Sequence, residues 1–216
     1  MLKRYVRQIS ILCAGLIVST IGIVFMLQAN IGLEPWSCLQ QGLELATGVS
    51  FGFASVIVGA VAIAIAVVFG EQIGLGTLAN VFLCGIFIDG LLALNIIPEM
   101  QTMAGGIVML LFGMEFLALG TWLYMSACLG VGPRDALMVA LAKKTGRSVG
   151  ACRSTLELLC ILAGWMMGAK VGVGTVITAV GVGALFNLNF KLLHFDAAYL
   201  KHENVADTLR HWIHKT

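Results

Sequence analysis

The sequence predicts an all-α polytopic membrane protein: six transmembrane helices forming two inverted three-helix repeats, each with a short broken or re-entrant helix. Three observations carry this reading. Hydrophobic residues make up 59% of the 216 residues and charged residues 11%, against about 25% charged in soluble domains. Six stretches reach the roughly 17–25 apolar residues that a hydrocarbon core demands. One motif occurs twice: Gly32-Leu33-Glu34-Pro35-Trp36-Ser37 returns as Gly130-Val131-Gly132-Pro133-Arg134-Asp135, an offset of 98 residues.

The first span is predicted over 9–29, behind Lys3, Arg4 and Arg7. Its length, the lack of a small-x-small cleavage site and the spans that follow argue for a retained helix and against a signal peptide. After the Gly32 turn, Pro35 sits where a helix can start, because its missing N–H would be unsatisfied there anyway. The segment 35–46 is too short and too polar to cross alone, so it lies at the interface or dips in as a half-helix. Spans two and three follow at 51–69 and 77–97. The second half repeats the plan with a span at 105–127, a short segment at 133–144, and spans at 149–167 and 175–193.

Between 29–89 and 127–187, 15 of 61 positions are identical, where so skewed a composition would give about one in ten. The matches gather at demanding places, among them Gly32/Gly130, Pro35/Pro133, Thr47-Gly48/Thr145-Gly146, Ser50/Ser148 and Gly76-Thr77/Gly174-Thr175. A duplication accounts for this, with a first membrane repeat at 1–98, a second at 99–193 and a cytoplasmic tail at 194–216. Three spans per copy place the copies in opposite orientations. Arg134, Lys143, Lys144 and Arg147 then face the cytoplasm, while the matching first-half connector holds Glu34 and Glu44 and no cation. That follows the positive-inside rule with both termini cytoplasmic. Lys170 and the cation-free turn with Glu71 are the exceptions.

A formal net charge of +2 and the lack of a basic stripe with interleaved aromatics argue against a nucleic-acid partner. The six cysteines form no CxxC or Cys/His cluster and read as buried thiols. The four histidines fall in the tail, which reads as an imperfect amphipathic helix lying on the membrane. No nucleophile–base or paired-carboxylate arrangement emerges, so neither an enzyme nor a cofactor nor a metal is expected.

Charge inside a span costs several kcal/mol on insertion scales and asks for a reason. Asp89, Glu115, Arg153 and Glu157 lie there, and they are the expected substrate- or ion-binding residues. Arg153 and Glu157 are four apart and share a helix face, which continues through Gly150, Cys160, Gly164 and Gly168, whereas Leu156, Leu159, Leu162, Trp165 and Met166 lie off it. Arg134 and Asp135, opening the second short helix, are the expected cytoplasmic gate. Their counterparts Trp36 and Ser37 suit the headgroup level. The Gly-x-Gly-Thr turns at 74–77 and 172–175 read as tight turns, with a helix N-terminus that could hold an anionic group.

Gly130-x-Gly132-Pro133-Arg134-Asp135-x-Leu137-Met138, Arg153-x-x-x-Glu157, Gly164-Trp165-x-x-Gly168 and Gly172-x-Gly174-Thr175 together resemble the bacterial YczE-like integral membrane proteins (the YczE/YyaS/YitT grouping) over about 9–187. Where that family tends to carry Gly-Pro-Trp-Asp in the first repeat, this chain has Glu34-Pro35-Trp36-Ser37. The resemblance implies a bacterial inner-membrane protein, with transport as one expectation, and names no substrate. The residues themselves point to a small secondary transporter or exporter of a small solute, coupled to a proton or cation through Glu157 with Asp89 or Glu115. Such inverted repeats with broken helices are common in that class. Membrane lipid and a second copy of the chain are the expected partners. The alternative is an accessory or sensor protein that binds a partner or lipid through its connectors and tail.

Overall fold

The computed structural model describes residues 2–195, and within them the chain is all helical. The order is α1 (Leu2–Gln28), α2 (Pro35–Thr47), α3 (Phe51–Val68), α4 (Leu75–Leu94), α5 (Met103–Ser126), α6 (Pro133–Thr145), α7 (Val149–Met166) and α8 (Val173–Leu192). Six of these are long and apolar enough to cross a bilayer, and α2 and α6 are the two that are not. Helix α1 starts well before the predicted span, because helix geometry continues past the edge of the apolar run, which covers Tyr5–Gln28. Helix α4 stops earlier than expected, at a left-handed Asn95. The tail expected over 194–216 lies, beyond Phe195, outside the described residues.

Local chemistry explains the boundaries. Glu34 and Gly132 are extended N-caps ahead of Pro35 and Pro133. Both short helices end on left-handed glycines, Gly48 and Gly146, whose N–H groups return to the carbonyls of Glu44 and Ala142, a conformation glycine adopts without penalty. Ser50 and Ser148 then cap α3 and α7 by accepting from the N–H of Phe53 and Ala151.

The packing repeats under the same 98-residue shift. Helix α1 lies antiparallel on α5 at the centre, with Gly22 against the Gly113 carbonyl at 2.6 Å from a built Cβ, and Gly113 against the Gly22 carbonyl at 2.8 Å. Helices α2 and α7 pack together, as do α6 and α3; α1 packs on α4, as α5 does on α8. Gly76 N–H donates to the Leu129 carbonyl at 2.7 Å, and Gly174 N–H to the Ile31 carbonyl at 2.8 Å. Each half therefore stitches the start of its last helix to the connector of the other half. These bonds take up amide groups at the starts of α4 and α8, so the anionic group considered for those turns meets backbone carbonyl instead.

One pairing breaks the pattern. Helix α3 packs closely on α4, with Gly85 against the Gly52 carbonyl at 2.6 Å from a built Cβ, whereas α7 and α8 make no comparable contact and Gly150 faces open space. The cause is in the sequence. Ser55 and Gly59 of α3 become Arg153 and Glu157 of α7, and the Arg153 guanidinium stands against Gly183 of α8.

The bundle has two ends. At one, Gln8 donates to the Ala127 carbonyl at 2.9 Å and Lys143 pairs with Glu71 at 2.6 Å. At the other, Asn30 donates to the Met100 carbonyl at 3.3 Å, and Lys170 reaches Asn30 at 2.7 Å and Glu99 at 3.5 Å. The two charge-pattern exceptions thus have partners at their own ends. Outward faces carry exposed apolar side chains such as Val68, Met166 and Val180, which suits lipid as solvent.

Candidate functional site

The first turns of α2 and α6 meet at the centre of the bundle. Glu34 precedes Pro35, so its carboxylate sits at the positive end of the α2 dipole, a favourable place for an anion. Arg134 occupies the same kind of place on α6, where the dipole opposes it. Its guanidinium Nη1 donates to Glu34 Oε2 at 3.3 Å, and Ser37 Oγ donates to Glu34 Oε1 at 3.3 Å. The Glu34 side chain is 8% exposed and that of Arg134 21%. Burial acts to lower the Arg134 pKa, but Glu34, Asp135, Tyr124 and Glu157 more than offset it, so the shift is upward and the guanidinium stays charged.

This pair forms part of the wall of a cavity of about 100 Å³ between α1, α2, α3, α4, α5 and α6. Its polar wall also includes Ser19, Trp36, Gln40, Ser55, Asn80, Thr121 and Tyr124; Ile23, Val58, Val81 and Leu117 supply apolar surface. Two buried polar atoms on this wall, Trp36 Nε1 and Ser19 Oγ, have no hydrogen-bond partner. A buried donor left unpaired carries a free-energy penalty, so the Trp36 N–H calls for an acceptor, whereas Ser19 Oγ sits against Gly120 at the α1–α5 contact.

Trp36 is a correction to the expectation of a headgroup-level residue. It is 7% exposed, because α2 is tucked between α3 and α7 and holds its first turn inside the bundle. Ser37 is buried beside it, bonded to Glu34. Glu34 escapes sequence reasoning because an acid in a connector reads as solvated. The available signal was the acid just before Pro35 matched by a base just after Pro133.

The other expected site residues lie outside the cavity lining, with Glu157 near enough to act on Arg134. Arg153 Nε donates to Glu157 Oε1 at 2.7 Å on α7. Asp89 accepts from Ser50 Oγ at 2.5 Å and from the Gly52 N–H at 2.8 Å, tying α4 to the start of α3. Glu115 accepts from Asn189 Nδ2 at 3.2 Å, tying α5 to α8. Of these four, only Arg153 and Glu157 come together, and none lines the central cavity. Arg134 does line it, while Asp135 stands next to Gly132 with Oδ2 3.1 Å from a built Cβ. On α7, Cys160 and Gly164 are buried, and Leu159, Leu162, Trp165 and Met166 are exposed. The seam therefore faces protein only at its middle, where Gly164 packs on the α2 backbone at Cys38; Gly150 and Gly168 are exposed, and Leu156, expected off the seam, packs against the cluster of Trp36 and Cys160.

Residues 6–191 match the Family of unknown function (DUF6198). Among similar proteins, the chain is 34% identical over 179 residues to the "Uncharacterized membrane protein YczE" of Bacillus subtilis, covering 82% of each chain. It is 30% identical over 179 residues to an "Uncharacterized protein" of Haemophilus influenzae, covering 83% of this chain and 81% of that one. To the "Uncharacterized protein YyaS" of Bacillus subtilis it is 22% identical over 176 residues, covering 81% and 88%. No solved structure matches the chain.

Proposed function

We propose that this chain, which belongs to the Family of unknown function (DUF6198), binds a small polar solute in its central cavity and carries it across a bacterial inner membrane. The two halves are inverted repeats in this reading, both termini are cytoplasmic, and the cavity lies where the halves meet. One observation supports it most: two helices too short to span the membrane bring their first turns to a cavity of mixed polarity whose wall holds a charge pair and the unpartnered Trp36 donor. Broken helices with polar groups at their ends are tolerated at depth where they line a cavity, and secondary transporters place substrate there.

The site shifts accordingly: Glu34 is the carboxylate on the cavity wall, so we place the solute-binding pair at Glu34 and Arg134. To Arg153–Glu157, expected as a binding pair, we give a positioning role: it separates α7 from α8 on one side of the bundle.

The test is accessibility. Ser55→Cys and Asn80→Cys should react with a membrane-impermeant thiol reagent in intact or inverted membrane vesicles, read site by site by mass spectrometry. Val180→Cys, exposed on the outer face of α8, should stay unlabelled in lipid. If both cavity positions resist labelling from either side, the cavity is sealed, transport fails, and an accessory or sensor role takes its place.

A further inference from the structure

We infer that the solute taken by this cavity is small and uncharged, hydrogen-bonds through amide or hydroxyl groups, and presents an acceptor atom to Trp36. The inference rests on the reading of the cavity as a binding site and adds the chemical class of its occupant.

Charge comes first. Among the described residues, the only Asp, Glu, Lys or Arg on the wall are Glu34 and Arg134, one of each sign, bonded to each other at 3.3 Å. Lys, Asp and His are absent from the lining. Asp135 and Glu157 act on Arg134 from outside the lining, which disfavours an anion further, and the wall itself offers a charged solute no spare counter-charge; an unpaired charge in a water-poor interior is costly. An anion would have to draw Arg134 from Glu34, and a cation Glu34 from Arg134; either leaves a buried charge behind. A neutral solute disturbs neither.

Hydrogen bonding comes second. Indole N–H only donates, so an occupant that satisfies Trp36 Nε1 must offer an oxygen or nitrogen lone pair. Gln40, Ser55 and Asn80 each place a side chain on the wall with no hydrogen bond to another described residue. Amides and hydroxyls both donate and accept, so this wall matches groups of the same kind. The apolar remainder, including Val58 and Val81, accommodates a carbon skeleton.

The full-length protein in detergent micelles tests this by thermal denaturation with size-matched pairs of probes that differ in charge, at millimolar concentration: erythritol and erythronate, propionamide and propionate. A neutral member should raise the Tm saturably, while its charged partner does not. In Trp36→Phe, which keeps most of the ring volume, the apparent affinity should fall at least tenfold. A Trp36-dependent shift from the charged member of a pair, equal to or above that of the neutral one, overturns the inference, and so does the absence of any Trp36-dependent shift from the neutral probes. Flux through proteoliposomes separates this from the transport reading. Neutral probes that bind without Trp36-dependent flux sink transport and leave the solute class standing. Trp36-dependent flux of a charged probe does the reverse.

Discussion

Arg134→Ala is expected to destabilise the protein by about 3–5 kcal/mol, the range seen when one partner of a buried ion pair is removed. Glu34 would then keep Ser37 as a donor but lose its counter-charge inside the bundle. Arg134→Lys should recover only part of the loss, since a single ammonium does not reproduce the planar guanidinium. Glu34→Gln combined with Arg134→Gln should be far milder than Arg134→Ala, because neither charge is left stranded. Denaturant unfolding in mixed micelles measures all three. A loss below about 1 kcal/mol for Arg134→Ala would put the pair in the class of solvated surface bridges and would remove it from the core of the site.

The second large effect belongs to Gly164. A Cβ built there falls on the backbone of Cys38, and a Cβ built on Gly42 would lie 2.9 Å from the Gly164 Cα. Gly164→Val should therefore push α2 away from α7 and cost about 3 kcal/mol or more, at or beyond the upper end for overpacked cores, because the obstacle is main chain. Since α2 carries Glu34 and Trp36, the same variant should also lose any solute-induced stabilisation. Gly150→Ala, in open space on the same helix, should melt as the parent does. A Gly164→Val protein with parental stability would mean that α2 is not docked on α7.

The symmetry of that contact shows what the sequence makes legible. Shifted by 98 residues, Cys38, Gly42 and Gly164 correspond to Ala136, Ala140 and Ala66, and those three alanines form the buried contact of α6 with α3. The offset, the Gly and Ser caps and the apolar lengths are local signals, so they predict the elements and much of their pairing. Partners across the bundle are another matter. Glu34 and Arg134 are 100 residues apart, and no periodicity links them. Asp89, Glu115 and Glu157 stand out in sequence because burial of charge needs explaining. The structure offsets that cost nearby, through Ser50 and Gly52 for Asp89, Asn189 for Glu115 and Arg153 for Glu157. Trp36 was misplaced because an aromatic in a short polar segment usually marks the interface, and only the docking of α2 shows otherwise.

Thr47 and Thr145 are equivalent positions, 98 residues apart, exposed at the ends of α2 and α6. The account of two halves crossing the bilayer in opposite senses around a shared cavity is tested most directly by cysteines placed there, one at a time, in intact cells with an impermeant thiol reagent. Thr47→Cys should label from outside, and Thr145→Cys only after the inner membrane is opened. Labelling of both from the same side would contradict it.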